Sequence, residues 1–298
     1  MSNFKYAVNT NGLKGLSYPG MAELISETGA DGVEWGLPPD LGEAAKAAKQ
    51  MDKLSKDHGL EVAAYINAGH LWKTDLMRQY SEILASVGGK MLRVAPPWLA
   101  YNLDESIHQK DSFMDFCKLT RQGLENLVPL GKEYGIKYVV ETHPGGLPAS
   151  PATVRYLMEG LDPDCVAAIY DVANGVPEGF LRPRHGAEVL GPYLGYVHVK
   201  NVRPKREADH TDFKVKRAHW CYELCPMDAG VVDYVEVFFA LNTVDFSGWL
   251  SFEEFFKDSI PDDVATAKTQ IKEALDFMKT CQAAPPTGPQ KPYTTFND

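Results

Sequence analysis

The chain has 298 residues, of which 44% are hydrophobic and 23% are charged, and this composition excludes an intrinsically disordered protein and a collagen-like repeat. Its formal net charge of -10 repels phosphate backbones and anionic membranes, so we expect neither a nucleic-acid partner nor a membrane partner. No apolar run approaches the ~18 residues of a membrane span, and the amino terminus has no signal-peptide core, which predicts a cytoplasmic protein.

Short apolar runs, rich in β-branched and aromatic residues, recur along the chain, and a helical pattern follows each of them. We predict that they are buried parallel strands, covering residues 4–9, 32–35, 61–66, 91–95, 138–142, 166–170, 195–199 and 249–252. Most are about 25 to 35 residues apart, which is the length of one βα unit. Eight such units in series favour an α/β fold of the closed (β/α)8 TIM barrel class over an open doubly wound sheet.

The stretches between these runs have apolar residues three and four positions apart, which predicts helices. Three examples are residues 41–58, 113–134 and 232–241. We expect a single barrel domain over residues 1–282. The segment between the seventh strand and the seventh helix, around 201–230, is too long for a simple βα loop, and we expect it to cover the mouth of the barrel. Residues 283–298 contain four prolines and predict a carboxyl-terminal tail, either disordered or docked on a second subunit.

The five cysteines are an odd number spread over a long chain, which is not the pattern of a disulfide framework, so we expect reduced thiols. Cys221 and Cys225 are four residues apart, but a zinc site needs two more ligands of this kind nearby, and His219 alone does not complete the set. We therefore interpret this pair as structural.

Ionisable residues lie at the ends of four consecutive predicted strands, the fifth to the eighth. They are Glu141, Asp171, His198 and, on the eighth strand, Glu253 or Glu254. In a barrel of this class, active sites lie where the strands run into the βα loops, so these side chains are expected to meet. Burying them costs several kcal/mol unless they are paired or metal-bound. Three carboxylates and one imidazole form a hard donor set that suits Mn2+, Mg2+ or Co2+ better than structural zinc, and the alternative is four separate salt bridges.

The order of these residues resembles the sugar phosphate isomerase/epimerase superfamily, whose barrel is similar to those of xylose isomerase and AP endonuclease family 2. The motifs that carry the resemblance are ETH, YDVAN, HVKN and SFEEF, and the match extends from Tyr6 to about Met278. The resemblance implies that Glu141, Asp171, His198 and Glu253 hold one divalent metal, which binds a carbonyl and an adjacent hydroxyl of a ketose or keto sugar. We expect Mn2+ as the preferred metal. Glu253 is preferred to Glu254 because the family ligand follows a Ser-apolar pair.

A proton on a carbon beside a carbonyl is weakly acidic, so the site must stabilise the enediolate and place a base within reach. The candidates for the base are Glu141, Glu253 and His143. The resemblance implies that the two glutamates transfer the proton, one from each face of the substrate. His143 departs from the Pro-x-Asn that follows the glutamate in many epimerases, and a His there is similar to the catalytic subunits of C-glycoside deglycosidases. Cleavage of a 3-oxo glycoside by metal-assisted elimination, with His143 as base, is therefore the alternative function.

Five residues at or near strand ends are candidates for contact with the substrate. They are Lys200, Trp35, His70, Arg93 and Trp98. Lys200 follows His198 by two positions and is expected on the same face of the strand, where an ammonium group would hold a substrate oxygen or neutralise an enolate. The two tryptophans offer faces on which a sugar ring stacks, although aromatic residues at strand ends equally often close the core.

Taken together, these residues predict a metal-dependent isomerase or epimerase acting on a small sugar, with the deglycosidase as the alternative and a non-catalytic sugar-binding barrel as a third hypothesis. A DNA-repair endonuclease of the same superfamily is disfavoured. Such enzymes require a His three residues after the aspartate, where this chain has Asn174. We expect a homo-oligomer, or a hetero-oligomer with a small subunit if the protein is a deglycosidase.

Overall fold

The computed structural model describes residues 3–66, 69–97, 112–179, 181–210, 217–253 and 264–286, and at 207–210 and 217–219 it describes the backbone alone. Trp98 lies outside the described residues, as do Glu254 and most of the predicted tail.

Parallel strands close into a barrel within the described part of the chain. The barrel strands are β1 (Phe4–Asn9), β2 (Gly32–Gly36), β3 (Glu61–Ile66), β4 (Met91–Arg93), β5 (Lys137–Glu141), β6 (Val166–Asp171), β7 (Leu194–Val199) and β10 (Gly248–Phe252). Their order around the barrel is β1-β10-β7-β6-β5-β4-β3-β2, and every neighbouring pair is parallel. The predicted (β/α)8 class is confirmed, and the strand ends agree with the predicted ones to within two residues.

Helices alternate with the barrel strands. They are α1 (Tyr18–Ser26), α2 (Leu41–Asp57), α3 (Thr74–Ser86), α4 (Phe113–Tyr134), α5 (Pro151–Met158), α6 (Pro183–Leu190), α7 (Tyr234–Thr243) and α8 (Val264–Ala283). Local signals set the ends of α4. Ser112 and Asp115 form a reciprocal capping box at its start, and Gly135, with a φ of 65°, ends it in the left-handed conformation. None of the described helices is long and apolar enough to cross a membrane.

Two apolar clusters hold the barrel together. The larger one fills the layer between the strands and the surrounding helices. The smaller one lies inside the barrel and consists of Ala7, Ala63, Ala64, Val139, Ala167, Ile169 and Tyr196. Because barrel interiors of this size are filled by side chains, this cluster forms an apolar floor. Above that floor, at the carboxyl ends of the strands, the buried side chains become polar and charged.

The segment around 201–230 contains an antiparallel hairpin instead of the predicted long loop. Strand β8 (Asn201–His210) pairs with β9 (Arg217–Cys225). The sequence disfavours a strand here because Pro204 cannot donate to a hydrogen-bond ladder, but both strands of a two-stranded sheet are edge strands, where proline is tolerated. Trp220 and Tyr222 of this hairpin are exposed. That the hairpin covers the barrel mouth stays a prediction.

Candidate metal centre and active site

Four ionisable side chains meet at the carboxyl ends of neighbouring barrel strands. They are Glu141 of β5, Asp171 of β6, His198 of β7 and Glu253, which directly follows β10. All four are buried, and one ligand atom from each lies within 4.8 Å of the others. The structure thus brings together the residues that the resemblance implies as metal ligands, and we refer to them as the ligand group.

Strand register explains why these residues converge. Asp171 of β6 lies directly beside His198 of β7, and Ser251 of β10 lies on the other side of His198. Side chains alternate between the two faces of a strand, so Glu253, two residues after Ser251, is directed to the same face. Neighbouring parallel strands that each end in an ionisable residue therefore place those residues at one end of the barrel.

His198 lies at the centre of the ligand group. Its Nδ1 atom is 3.0 Å from Glu141 Oε1, 3.5 Å from Glu253 Oε2 and 4.0 Å from Asp171 Oδ2. Its Nε2 atom is 3.1 Å from Oε1 of Glu34, a fully buried residue of β2. Burial alone would lower the pKa of His198, but the surrounding carboxylates, Glu34 foremost, raise it well above its usual value. The carboxylates therefore favour the protonated imidazole as long as no metal is bound.

Two further cations offset part of the negative charge. Lys200 Nζ lies 2.7 Å from Asp171 Oδ2 and 2.5 Å from Glu253 Oε2, and Arg93 forms an ion pair with Glu141. Burial would raise the pKa of Glu141, but Arg93 foremost holds it well below its usual value. Burial likewise opposes ionisation of Glu253, and Lys200 nevertheless lowers its pKa to about 2. Both glutamates are therefore ionised at neutral pH.

The chemistry and charge of the ligand group fit a divalent cation. Carboxylate and imidazole are ligands that Mn2+, Mg2+ and Co2+ accept. The described barrel interior contains four carboxylates, the three of the ligand group and that of Glu34. They face two cations, Lys200 and Arg93, so two negative charges remain when His198 is neutral. One divalent cation balances that charge. Burial, reinforced by the neighbouring glutamates, also raises the pKa of Asp171, as expected where negative charge is in excess.

Two asparagines orient the carboxylates of the ligand group. Asn174 donates its backbone N–H to Asp171 Oδ1 at 2.8 Å and its side-chain Nδ2 to Glu141 Oε1 at 3.1 Å. Asn9, at the end of β1, donates its Nδ2 to Glu253 Oε1 at 3.1 Å. Each carboxylate is thus held by a neutral donor as well as by a charged partner, which fixes its rotamer.

The structure describes four of the five predicted substrate contacts, and they lie in different places. It brings Lys200 and Arg93 to the ligand group, and their contact with a substrate stays a prediction. Trp35 does not lie where it was predicted. Its side chain is fully buried, and its indole Nε1 donates to Ser55 of α2 at 2.9 Å. Alternation along β2 directs this side chain outward into the helix layer, away from the barrel interior. His70 is half-buried and stacks on Trp72, with ring centroids 4.4 Å apart, and it is not part of the ligand group.

His143 follows the ligand Glu141 by two residues and is half-buried, just beyond the end of β5. Its Nδ1 lies 2.8 Å from the carbonyl oxygen of Pro144. Because a carbonyl only accepts, the Nδ1 atom carries the hydrogen, and in the neutral ring the lone pair is on Nε2. The geometry therefore defines which nitrogen of His143 is the basic one, and its role as a catalytic base stays a prediction.

Glu34 is a fully buried residue beside the ligand group that the sequence did not identify as part of the site. It interrupts the apolar run between Val33 and Trp35, which is the same signal that identified the ligand group on the later strands. The asparagines Asn9 and Asn174 were not predicted as part of the site either. Asn9 ends an apolar strand and Glu34 lies within one, so the signal common to both is a polar residue in or at the end of an apolar run.

Comparison with known proteins reveals related enzymes and similar structures. The chain is 28% identical over 165 residues to the inosose dehydratase of Geobacillus kaustophilus (strain HTA426). The match covers 52% of this chain and 51% of that protein, so it spans about half the length of that relative. The crystal structure of 3-keto-D-glucoside 4-epimerase from E. coli has a TM-score of 0.68 at 18% identity, covering 94% of this chain and 100% of that chain. The IOLI protein with a bound zinc atom has a TM-score of 0.70 at 17% identity, covering 94% and 98%.

The family model matches most of the chain. The model described as the xylose isomerase-like TIM barrel matches residues 22–281, which include every barrel strand except β1 and all four residues of the ligand group. The match agrees with the closed barrel and confirms the resemblance found in the sequence. This chain belongs to the xylose isomerase-like TIM barrel family.

Proposed function

We propose that this protein is a divalent-metal-dependent enzyme that removes a proton beside the carbonyl of a ketose or keto sugar and forms an enediolate, as isomerases and epimerases do. The observation that carries the proposal is the ligand group, which gathers three carboxylates and one imidazole in a buried site with excess negative charge. Its family and its sugar-epimerase structural neighbour support the proposal. We propose Mn2+ as the metal, with Mg2+ or Co2+ as alternatives.

When bound by the ligand group, a divalent cation supplies a Lewis acid that polarises a carbonyl and stabilises developing oxyanions. Glu141 and Glu253 supply the bases in this proposal. Both carboxylates are ionised at neutral pH, which is the form required of a proton acceptor. Return of the proton to the same carbon from the opposite face gives the epimer, and its return to the neighbouring carbon gives the isomer.

Lys200 supplies the positive charge that faces the enediolate in this proposal. Replacing it by methionine (Lys200→Met) is expected to lower kcat by ~100-fold or more, the usual cost of one lost oxyanion donor. The affinity for Mn2+ is expected to stay equal or to rise, because a cation 2.7 Å from Asp171 competes with the metal for that carboxylate. Lys200→Arg, which keeps the charge, is expected to recover part of kcat.

Calorimetric titration with Mn2+ and turnover at saturating Mn2+ separate the two roles of Lys200. If Lys200→Met keeps the wild-type kcat, the lysine only balances charge in the folded protein and does not act on the substrate.

A second candidate function is elimination, and the likeness to inosose dehydratase favours it. An inosose is a cyclic polyhydroxy ketone. Its dehydration begins with removal of the same type of proton, after which the C–O bond at the next carbon breaks, a C=C bond forms, and the hydroxyl leaves with a proton as water. In a deglycosidase the leaving group is the aglycone instead. The Nε2 atom of His143 is suited to exchange a proton in either reaction.

His143→Ala distinguishes the two functions. If the reaction is elimination, with His143 as base or proton donor, we expect kcat to fall ~100- to 10,000-fold while Mn2+ stays bound, because His143 is outside the ligand group. If the reaction is epimerisation by the two glutamates, we expect kcat to change little. The matched control is His185→Ala, which removes an exposed imidazole from α6.

The test of the proposed function is a product analysis by NMR. Protein reloaded with Mn2+ is incubated with a panel of free ketoses, 3-oxo glucosides and an inosose. A new epimer or isomer supports the first function, and an unsaturated product or a released aglycone supports the second. Wild-type protein that carries stoichiometric Mn2+ and converts none of these compounds contradicts both and favours a non-catalytic sugar-binding barrel.

A further inference from the structure

We propose that Glu34 is a positioning residue that fixes the hydrogen of the His198 ring on Nε2 and directs the lone pair of Nδ1 into the ligand group. This inference rests on the proposed metal site. It concerns a residue of β2, a strand that contributes nothing to the ligand group itself.

Glu34 reaches His198 across the interior of the barrel. In the strand order, β1 and β10 lie between β2 and β7, so the two residues are not neighbours in the sheet. Alternation along β2 directs Trp35 outward, where it bonds Ser55, and therefore directs Glu34 inward. The Oε1 atom of Glu34 ends 3.1 Å from His198 Nε2, with both side chains fully buried.

The two nitrogens of His198 face different surroundings. Nδ1 lies 3.0 to 4.0 Å from the three carboxylates of the ligand group, whereas Nε2 has the carboxylate of Glu34. A nitrogen that binds a metal must be unprotonated, so the hydrogen of the neutral ring has to be on the other nitrogen. A carboxylate that accepts from Nε2 selects this tautomer and also fixes the plane of the ring.

The burial of Glu34 favours this role over a purely structural one. Its carboxylate is fully buried beside the Tyr196 hydroxyl, and among the described residues its second oxygen, Oε2, has no hydrogen bond of standard geometry. A buried carboxylate that is only partly satisfied costs free energy, and an apolar side chain would fill the same space without that cost. The contact with His198 accounts for a carboxylate at this position, because outer carboxylates of this kind orient metal-binding histidines and increase their basicity.

The test compares Glu34→Gln with Ser251→Ala by calorimetric titration of the purified protein with Mn2+. Glu34→Gln keeps the shape of the side chain but removes the charge and the obligate acceptor, and we expect the Kd for Mn2+ to rise ~10- to 100-fold. Ser251→Ala removes another buried polar group from the barrel interior, directly beside His198 in the sheet, and we expect it to leave the Kd unchanged. Thermal melts followed by circular dichroism report whether each variant is folded.

A second measurement needs no variant. In the 15N NMR spectrum of the wild-type protein loaded with diamagnetic Zn2+, His198 is expected to show a protonated Nε2 and a metal-coordinated Nδ1. The opposite assignment overturns the inference, and so does a wild-type Kd in folded Glu34→Gln. If the wild-type protein binds no divalent metal, that result overturns the proposed metal site, and the role of Glu34 is overturned along with it.

Discussion

His198→Ala is expected to abolish both the stoichiometric binding of Mn2+ and the catalytic activity. The imidazole is the sole nitrogen donor of the ligand group, and its Nδ1 lies 3.0 Å from Glu141 Oε1 and within 4.0 Å of Asp171 Oδ2. Loss of an outer-sphere partner weakens metal binding ~10- to 100-fold, so loss of a direct ligand is expected to exceed that range. Turnover should fall below detection because the Lewis acid is lost with the metal.

The variant also removes a buried partner of Glu34, and leaving a buried charge unpaired costs ~3 to 5 kcal/mol of stability. Loss of metal therefore has to be separated from loss of folding. His198→Asn keeps a polar group at the position and serves as the second variant, and His185→Ala is the exposed control. Metal content after gel filtration and the melting temperature are measured together. A folded His198 variant that retains stoichiometric Mn2+ removes His198 from the ligand set.

Glu141→Gln is expected to lower kcat by ~100- to 10,000-fold even at saturating Mn2+, since a general base contributes about that factor. The glutamine keeps the length of the side chain, but its neutral amide cannot accept the substrate proton. It also loses the charge that pairs with Arg93, so the Kd for Mn2+ is expected to rise as well. Turnover is therefore measured over a series of Mn2+ concentrations and extrapolated to saturation.

The control for this variant is Glu133→Gln, which removes an exposed carboxylate from α4 that pairs with Arg78. It is expected to leave both kcat and the Kd for Mn2+ unchanged. If Glu141→Gln recovers the wild-type kcat once Mn2+ is saturating, Glu141 serves only as a ligand, and Glu253 or His143 has to supply the base.

The barrel was predictable from the sequence because its strands are buried on both faces and appear as short continuous apolar runs. Residues 166–170, for example, carry no charge, and the structure extends that strand only to Asp171. The hairpin of β8 and β9 was not predictable in the same way. Among its described side chains, those of residues 203–206, 220 and 222 are exposed, which blurs the alternation typical of a strand, and Pro204 argues against a strand.

The ligand group was predictable because each member lies at the end of an apolar run on one of four neighbouring strands. Glu34 carries a similar signal but lies on β2, and only closure of the barrel brings that strand opposite β7. The side chain of Trp35 differs from its expected position for a related reason. Proximity to a strand end does not decide which face a side chain takes, and in β2 the inward position belongs to Glu34.

The most direct test of the proposed function is hydrogen–deuterium exchange at the carbon beside the carbonyl. Wild-type protein loaded with Mn2+ is incubated in D2O with free ketoses, 3-oxo glucosides and an inosose, with and without EDTA, and the samples are freed of protein and metal before 1H NMR. We expect at least one compound to lose the signal of that proton in the metal-loaded sample and to keep it in EDTA. Exchange that EDTA leaves unchanged, or the absence of exchange in every compound, would contradict metal-dependent proton abstraction by this site.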